Sequence, residues 1–296
     1  MILKQILSRL FSGKSKYMKK YMLRMDPKIE YKYNDFSILL PSDHMLPFYQ
    51  KAHKKYDKFL PHLIKNIDDQ STIIDVGANC GDTLAGMVDV KKDMTFVCIE
   101  PDDVFYDYLE KNVSRILANN NKTIIYKVKS LVGKTISNAS LEGIGGTKHA
   151  VPDSVAGNYF SEKLDSILSD ITCTEIKLLK TDVDGFDYDV IDSAESLLLK
   201  QKPIIYFECA FDHEYQKNGY INTIKWLTSI GYKDYIVFDN FGELMIRTKD
   251  IYQIFQLIEY IWKQNKKGAT RTIFYYDILT VCEKDKEIID MSVCTY

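Results

Sequence analysis

The sequence contains no Cys-x-x-Cys pair, although it has six cysteines, Cys80, Cys98, Cys173, Cys209, Cys282 and Cys294. That absence removes the common zinc and dithiol frameworks. Four of the six fall in or beside strand-like runs, where a free thiol packs as a small hydrophobe, so a reducing, cytoplasmic setting is expected. No apolar run is long enough to span a bilayer, and no cleavable leader is evident. An excess of one charge is missing too: 39 Lys+Arg against 41 Asp+Glu leave a net charge of −2. This argues against a dedicated nucleic-acid surface, and there is no Asn-Pro-Pro-Tyr-like base-flipping motif. Internal repeats are absent, and the only biased tract, Asn119–Asn121, reads as a turn. The Gly-x-Gly-x-x-Gly loop of a dinucleotide site is also missing.

With 296 residues, 46% of them hydrophobic, the chain can bury the core of one large α/β domain or of a domain with an appendage. Residues 1–25 stand apart. Lys4, Arg9, Lys14, Lys16, Lys19, Lys20 and Arg24 occur before any acid, and Ile2, Leu3, Ile6, Leu7, Leu10 and Phe11 form an apolar stripe at helical spacing. Two readings stand: a basic amphipathic helix resting at the inner face of an anionic membrane, or a helix packed on the domain or a frayed tail. Residues 26–70 suggest a hairpin around Phe36–Leu40 and then a helix near Pro47–Ile67.

From residue 71 to 296 the chain alternates. Strand-like runs at Thr72–Val76, Thr95–Ile99, Thr123–Val128, Ile176–Lys180, Ile204–Phe207, Tyr235–Phe238 and Phe274–Val281 are separated, for the most part, by helical patterns. Those patterns lie at Thr83–Val90, Val104–Leu117, Tyr188–Leu199, Ile221–Ile230 and Ile251–Lys263. Such alternation predicts a doubly wound, mostly parallel seven-stranded sheet, the last strand inserted antiparallel. Between Gly133 and Asn158 the rhythm breaks and glycines crowd together. A long loop of this kind is expected to be a lid or a disordered segment.

The most informative stretch is Ile73-Ile74-Asp75-Val76-Gly77-Ala78-Asn79-Cys80-Gly81-Asp82-Thr83. It reads as a buried strand, a tight turn and a helix start. Asp82 in the first helical turn would repel a phosphate placed there. A nucleoside ligand without phosphates fits better, and S-adenosylmethionine (SAM) is the obvious one. In an open α/β sheet ligands sit beyond the carboxyl ends of the strands, so the candidate cofactor residues are Asp75, Gly77, Asn79, Gly81, Asp82, Thr83, Glu100, Pro101 and Ser130. Asp75 would accept from the cofactor's ammonium, the glycines would let backbone approach its methionine part, and Glu100 would take the ribose hydroxyls. Beyond the fourth strand comes Lys180-Thr181-Asp182-Val183-Asp184-Gly185-Phe186-Asp187, and beyond the fifth come Glu208, Asp212 and His213. Lys180, Asp182, Glu208 and His213 are the catalytic candidates, though His213 reads equally well as a solvated loop residue.

The segments IIDVGANCGDT, CIEP, EKLDSIL, IKLLKTDVDGFDYDVI, PIIYFE, IVFDNFGEL and FYYDIL together resemble the FkbM family of class I, SAM-dependent methyltransferases, over about Leu39 to Leu279. The resemblance implies methyl transfer, usually to a hydroxyl of a sugar or glycan in bacterial surface polysaccharide synthesis. It implies that Asp75, Gly77, Asn79, Gly81, Asp82 and Thr83 form the cofactor loop and that Glu100 is the ribose acid. Lys180, Asp182, Asp184, Gly185 and Asp187 match the second signature, Glu208 the acid after the fifth strand, and Asp165 a helix-start or packing position. Glutamate is usual where Asp184 and Asp187 stand, so each carboxylate here is one methylene shorter. Asp182 and Glu208 would act as base or as oxygen ligands. Mg²⁺ would suit such donors, yet no His- or Cys-rich signature requires a metal. The competing readings are a non-catalytic binding or scaffold protein on the same fold, a nicotinamide oxidoreductase, and a methyltransferase acting on a non-sugar small molecule.

Overall fold

The computed structural model describes residues 28–118, 120, 122–135, 138–143, 147–152, 157–173, 175–265 and 272–296. The basic arm at residues 1–25 therefore lies outside the described residues. In chain order the elements are β1 (Ile29–Lys32), β2 (Ser37–Leu40), α1 (Leu46–Ala52), α2 (Phe59–Ile64), β3 (Thr72–Val76), α3 (Asp82–Val90), β4 (Thr95–Ile99), α4 (Asp103–Leu117) and β5 (Ile124–Val128). Then follow β6 (Leu131–Val132), β7 (Ala139–Glu142), β8 (His149–Pro152), β9 (Ser161–Glu162), α5 (Leu164–Ser169), β10 (Ile176–Thr181), α6 (Asp187–Asp192), α7 (Glu195–Lys200) and β11 (Ile204–Cys209). The chain closes with α8 (Glu214–Ser229), β12 (Asp234–Asp239), β13 (Leu244–Thr248), α9 (Ile251–Asn265), β14 (Tyr276–Val281) and α10 (Lys286–Thr295).

The main sheet has eight strands in the order β13-β12-β14-β11-β10-β3-β4-β5. The pairings β11-β10-β3-β4-β5 are parallel, while β14 runs antiparallel between β11 and β12. The seven expected strands are thus present, the last inserted antiparallel, and β13 adds an antiparallel edge. β3 and β4 are buried along their whole length. That is what continuous apolar runs produce when helices cover both faces of a sheet. One face packs against α5 to α9 through residues such as Val190, Ile224 and Ile258. The other packs against α2, α3, α4 and α10 through Leu63, Leu84, Leu109 and Ile289. Strand order reverses between β3 and β10, and this is where an open α/β sheet presents its crevice.

Three segments differ from expectation. The helix expected near Pro47–Ile67 is two helices, because the turn between them holds Asp57 at φ +54° and brings Tyr56 and Asp57 into a cavity. Tyr188–Leu199 likewise splits into α6 and α7. There the carboxylate of Asp165 accepts from the backbone N–H groups of Ser196 (2.7 Å) and Leu197 (3.0 Å), capping α7 from outside. Finally, the glycine-crowded stretch is not a bare loop: β7 and β8 form an antiparallel hairpin. Lys148, just before β8, reaches 2.5 Å to Asp102, the residue that caps α4 by accepting from Val104 and Phe105. Among the described residues no helix is long and apolar enough to cross a membrane.

Candidate active site

A cavity of about 750 Å³ opens beyond the carboxyl ends of the parallel strands. One end is formed by the loop after β3 with Glu100, Pro101 and Ser130; the other by the exits of β10 and β11, the start of β14 and the α1–α2 turn. Of the candidate cofactor residues, Gly77, Asn79, Asp82, Thr83, Glu100, Pro101 and Ser130 line it, whereas Asp75 and Gly81 do not. Of the catalytic candidates, Lys180, Asp182 and Glu208 line it and His213 does not.

The loop after β3 owes its glycines to packing. Gly77 sits at φ +77°, and a Cβ there would come within 1.9 Å of the carbonyl oxygen of Asp182. The β10 exit therefore crosses directly over it, and no side chain fits. Gly81, at φ +81°, ends the turn as the N-cap of α3, and a Cβ would meet the Leu109 side chain at 2.9 Å. Gly77 keeps its backbone on the cavity wall, as expected, whereas Gly81 is not among the lining residues.

Asp75 also has a different place from the one expected. It is wholly buried, 2.9 Å from the Lys180 ammonium, and apart from that ion pair its oxygens have no hydrogen-bond partner among the described residues. An ammonium of the protein fills the position expected for the cofactor's. Lys180 in turn donates to the carbonyl of Gly77 at 3.2 Å and lies 3.5 Å from Asp182. Burial opposes its charge, but the attraction of Asp75 and Asp182 outweighs this and holds its pKa above that of an ordinary lysine. Lys180 is hence a strut between β3 and β10, held by the Asp75 ion pair and the Gly77 carbonyl.

Glu100 is 6% exposed. One of its oxygens accepts from the backbone N–H of Asn79 (2.9 Å) and the other from that of Asp102 (2.8 Å). It thereby locks the loops after β3 and β4 together. Each oxygen keeps lone-pair capacity for a ligand hydroxyl. Burial raises its pKa to about 7 against the pull of the two N–H donors.

The other end of the cavity is acidic. Asp182 has a half-exposed side chain. Asp184 stands at φ +52°, and burial together with Asp182 and Asp187 raises its pKa to about 8. Asp187, behind it, accepts from the hydroxyls of Thr181 (2.7 Å) and Tyr220 (3.2 Å). Burial and the neighbouring acids push Glu208 well above the carboxylate range. His213 is set aside: it is the N-cap of α8, its backbone N–H donating to Gln216 Oε1 at 3.0 Å and its ring stacking on Tyr215 at 5.4 Å, outside the cavity lining. An imidazole outside the cavity wall is not its base.

Asp57, Tyr56, Tyr275 and Asp277 line the same end and were not singled out in the sequence. Their signal was present in part, since Tyr275 and Asp277 lie in FYYDIL. The rim is aromatic, with His53 and Phe241 stacked at 3.9 Å. Tyr296 donates to the carbonyls of Lys55 and Gly242 at 2.9 and 3.2 Å, pinning the α1–α2 turn to the β12–β13 turn. As to metals, one group of donors among the described residues lies within 4.8 Å of one another: His44, Cys80 and Asp82. His44 Nδ1 accepts from the N–H of Leu46 at 3.3 Å, and its Nε2 faces Asp82 at 3.8 Å. Asp182 and Glu208 are not part of this group.

The chain is similar to several solved structures, among them an FkbM methyltransferase from Methylobacillus flagellatus KT. That structure is 20% identical with a TM-score of 0.38, over 55% of this chain and 38% of that one. The chain thus spans well under half the length of that protein. TYW2 of M. jannaschii in complex with AdoMet is 11% identical with a TM-score of 0.42, over 86% and 85% of the two chains. A precorrin-6y C5,15-methyltransferase from Geobacter metallireducens GS-15 is 11% identical with a TM-score of 0.40, over 76% and 85%. No curated protein matches in sequence. The family model described as Methyltransferase FkbM domain matches residues 75–233. This match runs from the last residues of β3 past α8, over more than half of the chain, and includes Glu100, the β10 exit and Glu208; the chain belongs to the FkbM methyltransferase domain family.

Proposed function

We propose that this chain transfers a methyl group from SAM to a hydroxyl of a sugar or glycan, in the synthesis of a bacterial surface polysaccharide or related glycan. The observation that carries the reading is the single cavity joining Glu100 and the β3 loop at one end to the carboxylates of β10 and β11 at the other. SAM would lie along the first end, its ribose hydroxyls donating to Glu100. The acceptor would enter from the aromatic rim, whose rings suit the apolar face of a sugar.

Methyl transfer from a sulfonium is an in-line displacement in which the C–S bond breaks as the O–C bond forms. Holding the hydroxyl in line with sulfur supplies most of the acceleration. The hydroxyl proton needs an acceptor, and Asp182 is suited to that task. It is half exposed, so it can pass the proton to water, and Lys180 stands 3.5 Å away to hold its carboxylate in place. Glu208 would hold the acceptor. The test is calorimetric titration of SAM, then tritiated methyl transfer to a panel of sugar glycosides. Asp182→Asn is expected to bind SAM like the parent and to lose about 10²- to 10⁴-fold in turnover. Turnover near the parent's would remove Asp182 from the mechanism, and a chain indifferent to SAM would end the reading.

A further inference from the structure

The acceptor end of the cavity gathers more carboxyl groups than cationic partners. Asp57, Asp182, Asp184, Glu208 and Asp277 line it, and of the lysines that also line it only Lys180 meets one of them, Asp182 at 3.5 Å. Lys180 is held by Asp75 at 2.9 Å, Lys148 by Asp102 at 2.5 Å and Lys55 by Glu243 at 3.1 Å. Two of the acids face each other by construction, since Glu208 of β11 is directly opposite Asp277 of β14 in the antiparallel register. Like charges so placed are destabilising. Glu208 is 6% exposed, and its Oε2 has no hydrogen-bond partner among the described residues. Asp277 is met by the hydroxyl of Tyr206, and Tyr56 and Tyr275 complete the wall. A buried, unpartnered carboxylate oxygen among acids and tyrosine rings is built for a cation.

The cofactor's own ammonium does not account for this pair. In the pose proposed above it would lie beside the β3 loop, and β14 is three strands away from β3, about 14 Å at ordinary strand spacing. For a divalent ion the protein offers no three-carboxylate cage: among the described residues no trio of these acids has its ligand oxygens within 4.8 Å of one another. An ammonium, with longer contacts and a taste for aromatic faces, suits the wider setting.

We propose that the acceptor carries a protonated primary amine, as in an amino sugar whose nitrogen is not acetylated, and that Glu208 and Asp277 seat that ammonium while Asp57 faces it from the α1–α2 turn. This rests on the methyl-transfer reading above and narrows its substrate class. The amine anchors the acceptor and a hydroxyl of the same molecule receives the methyl group. Cation binding would also return the Glu208–Asp277 pair to its ionised form, which burial and the nearby acids, Asp182 foremost, otherwise disfavour.

The test uses the full chain, with and without S-adenosylhomocysteine, and three probes at neutral pH: methyl glucosaminide, its N-acetyl derivative and methyl glucoside. Saturation-transfer NMR and calorimetry are expected to show the free amine binding at least tenfold tighter than the two neutral probes. Glu208→Gln and Asp277→Asn, checked for folding by thermal melts, are expected to shrink that preference to within about twofold. Equal affinity or no binding for all three probes overturns the proposal, as does a preference that survives both substitutions. Binding of the neutral sugar that requires Mg²⁺ and disappears with EDTA overturns it in favour of a metal. Amine binding by a chain that ignores S-adenosylhomocysteine and SAM would sink the methyl-transfer reading alone.

Discussion

Glu100→Gln should move stability and cofactor affinity in opposite directions. In the folded chain burial lifts the Glu100 pKa from 4.5 to about 7, and 1.36 kcal/mol per pH unit makes this roughly 3 kcal/mol. Below pH 4.5 the carboxyl is protonated in both folded and unfolded chains, and nothing is lost. Between 4.5 and 7 the folded chain holds more protons than the unfolded one, so stability falls as pH rises. Above 7 the full penalty is in place. Glutamine removes this pH-dependent cost. It also adds a constant one, because its amide presents a donor to one of the N–H groups of Asn79 and Asp102 that Glu100 now satisfies, at about 1–3 kcal/mol. Urea unfolding at pH 4.5 and at pH 8 separates the two terms. The variant should be less stable than the parent at pH 4.5 and equal or more stable at pH 8, the gap moving by roughly 3 kcal/mol. The other raised carboxylates are common to both chains and cancel. At pH 8 the variant should bind SAM about 10- to 100-fold more weakly, the worth of charge-assisted bonds to the ribose. A gap that is the same at both pH values would refute the account of Glu100 as a buried carboxyl held near neutrality.

The strut between β3 and β10 can be tested by removing its charge. Lys180→Met strands the wholly buried Asp75 and should cost about 3–5 kcal/mol, most of it regained in Lys180→Met with Asp75→Leu; denaturant midpoints of the three chains decide it. Gly77→Ala should cost more than Gly81→Ala in the same assay. The first drives a methyl into backbone at 1.9 Å, the second only against the end of Leu109 at 2.9 Å. His213→Ser keeps a helix cap and lies outside the cavity, so methyl transfer should stay within about twofold of the parent; a collapse in turnover would return the imidazole to the mechanism.

Much of this architecture was legible because it follows from local rules. Buried strands on both sheet faces read as unbroken apolar runs, and the acid ending each run, Asp75, Glu100 or Glu208, marks the carboxyl edge. What the rules could not supply was partnership. Asp75 and Lys180 are far apart in the chain, and only the parallel register of β3 and β10, which sets Asp75 opposite Lys180, shows that each satisfies the other. The glycines looked bare for the ligand's sake alone because the crossing of the β10 exit over Gly77 is a tertiary fact with no trace in spacing. His213 was ambiguous for the same reason: a helix cap and a base are equally polar on paper.

Asp277 was missed through direction. Looking for chemistry just after each strand works when the strands are parallel, because their last residues share one edge. β14 runs the other way between β11 and β12, so its first residues, Tyr276 and Asp277, reach that edge. The antiparallel insertion was itself expected from the order of the runs. Applied to FYYDIL it turns the rule around: the acid that opens the reversed strand is the one that meets Glu208. The acidic end of the cavity is therefore a consequence of topology, assembled from a strand exit and a strand entrance that only one sheet order brings face to face.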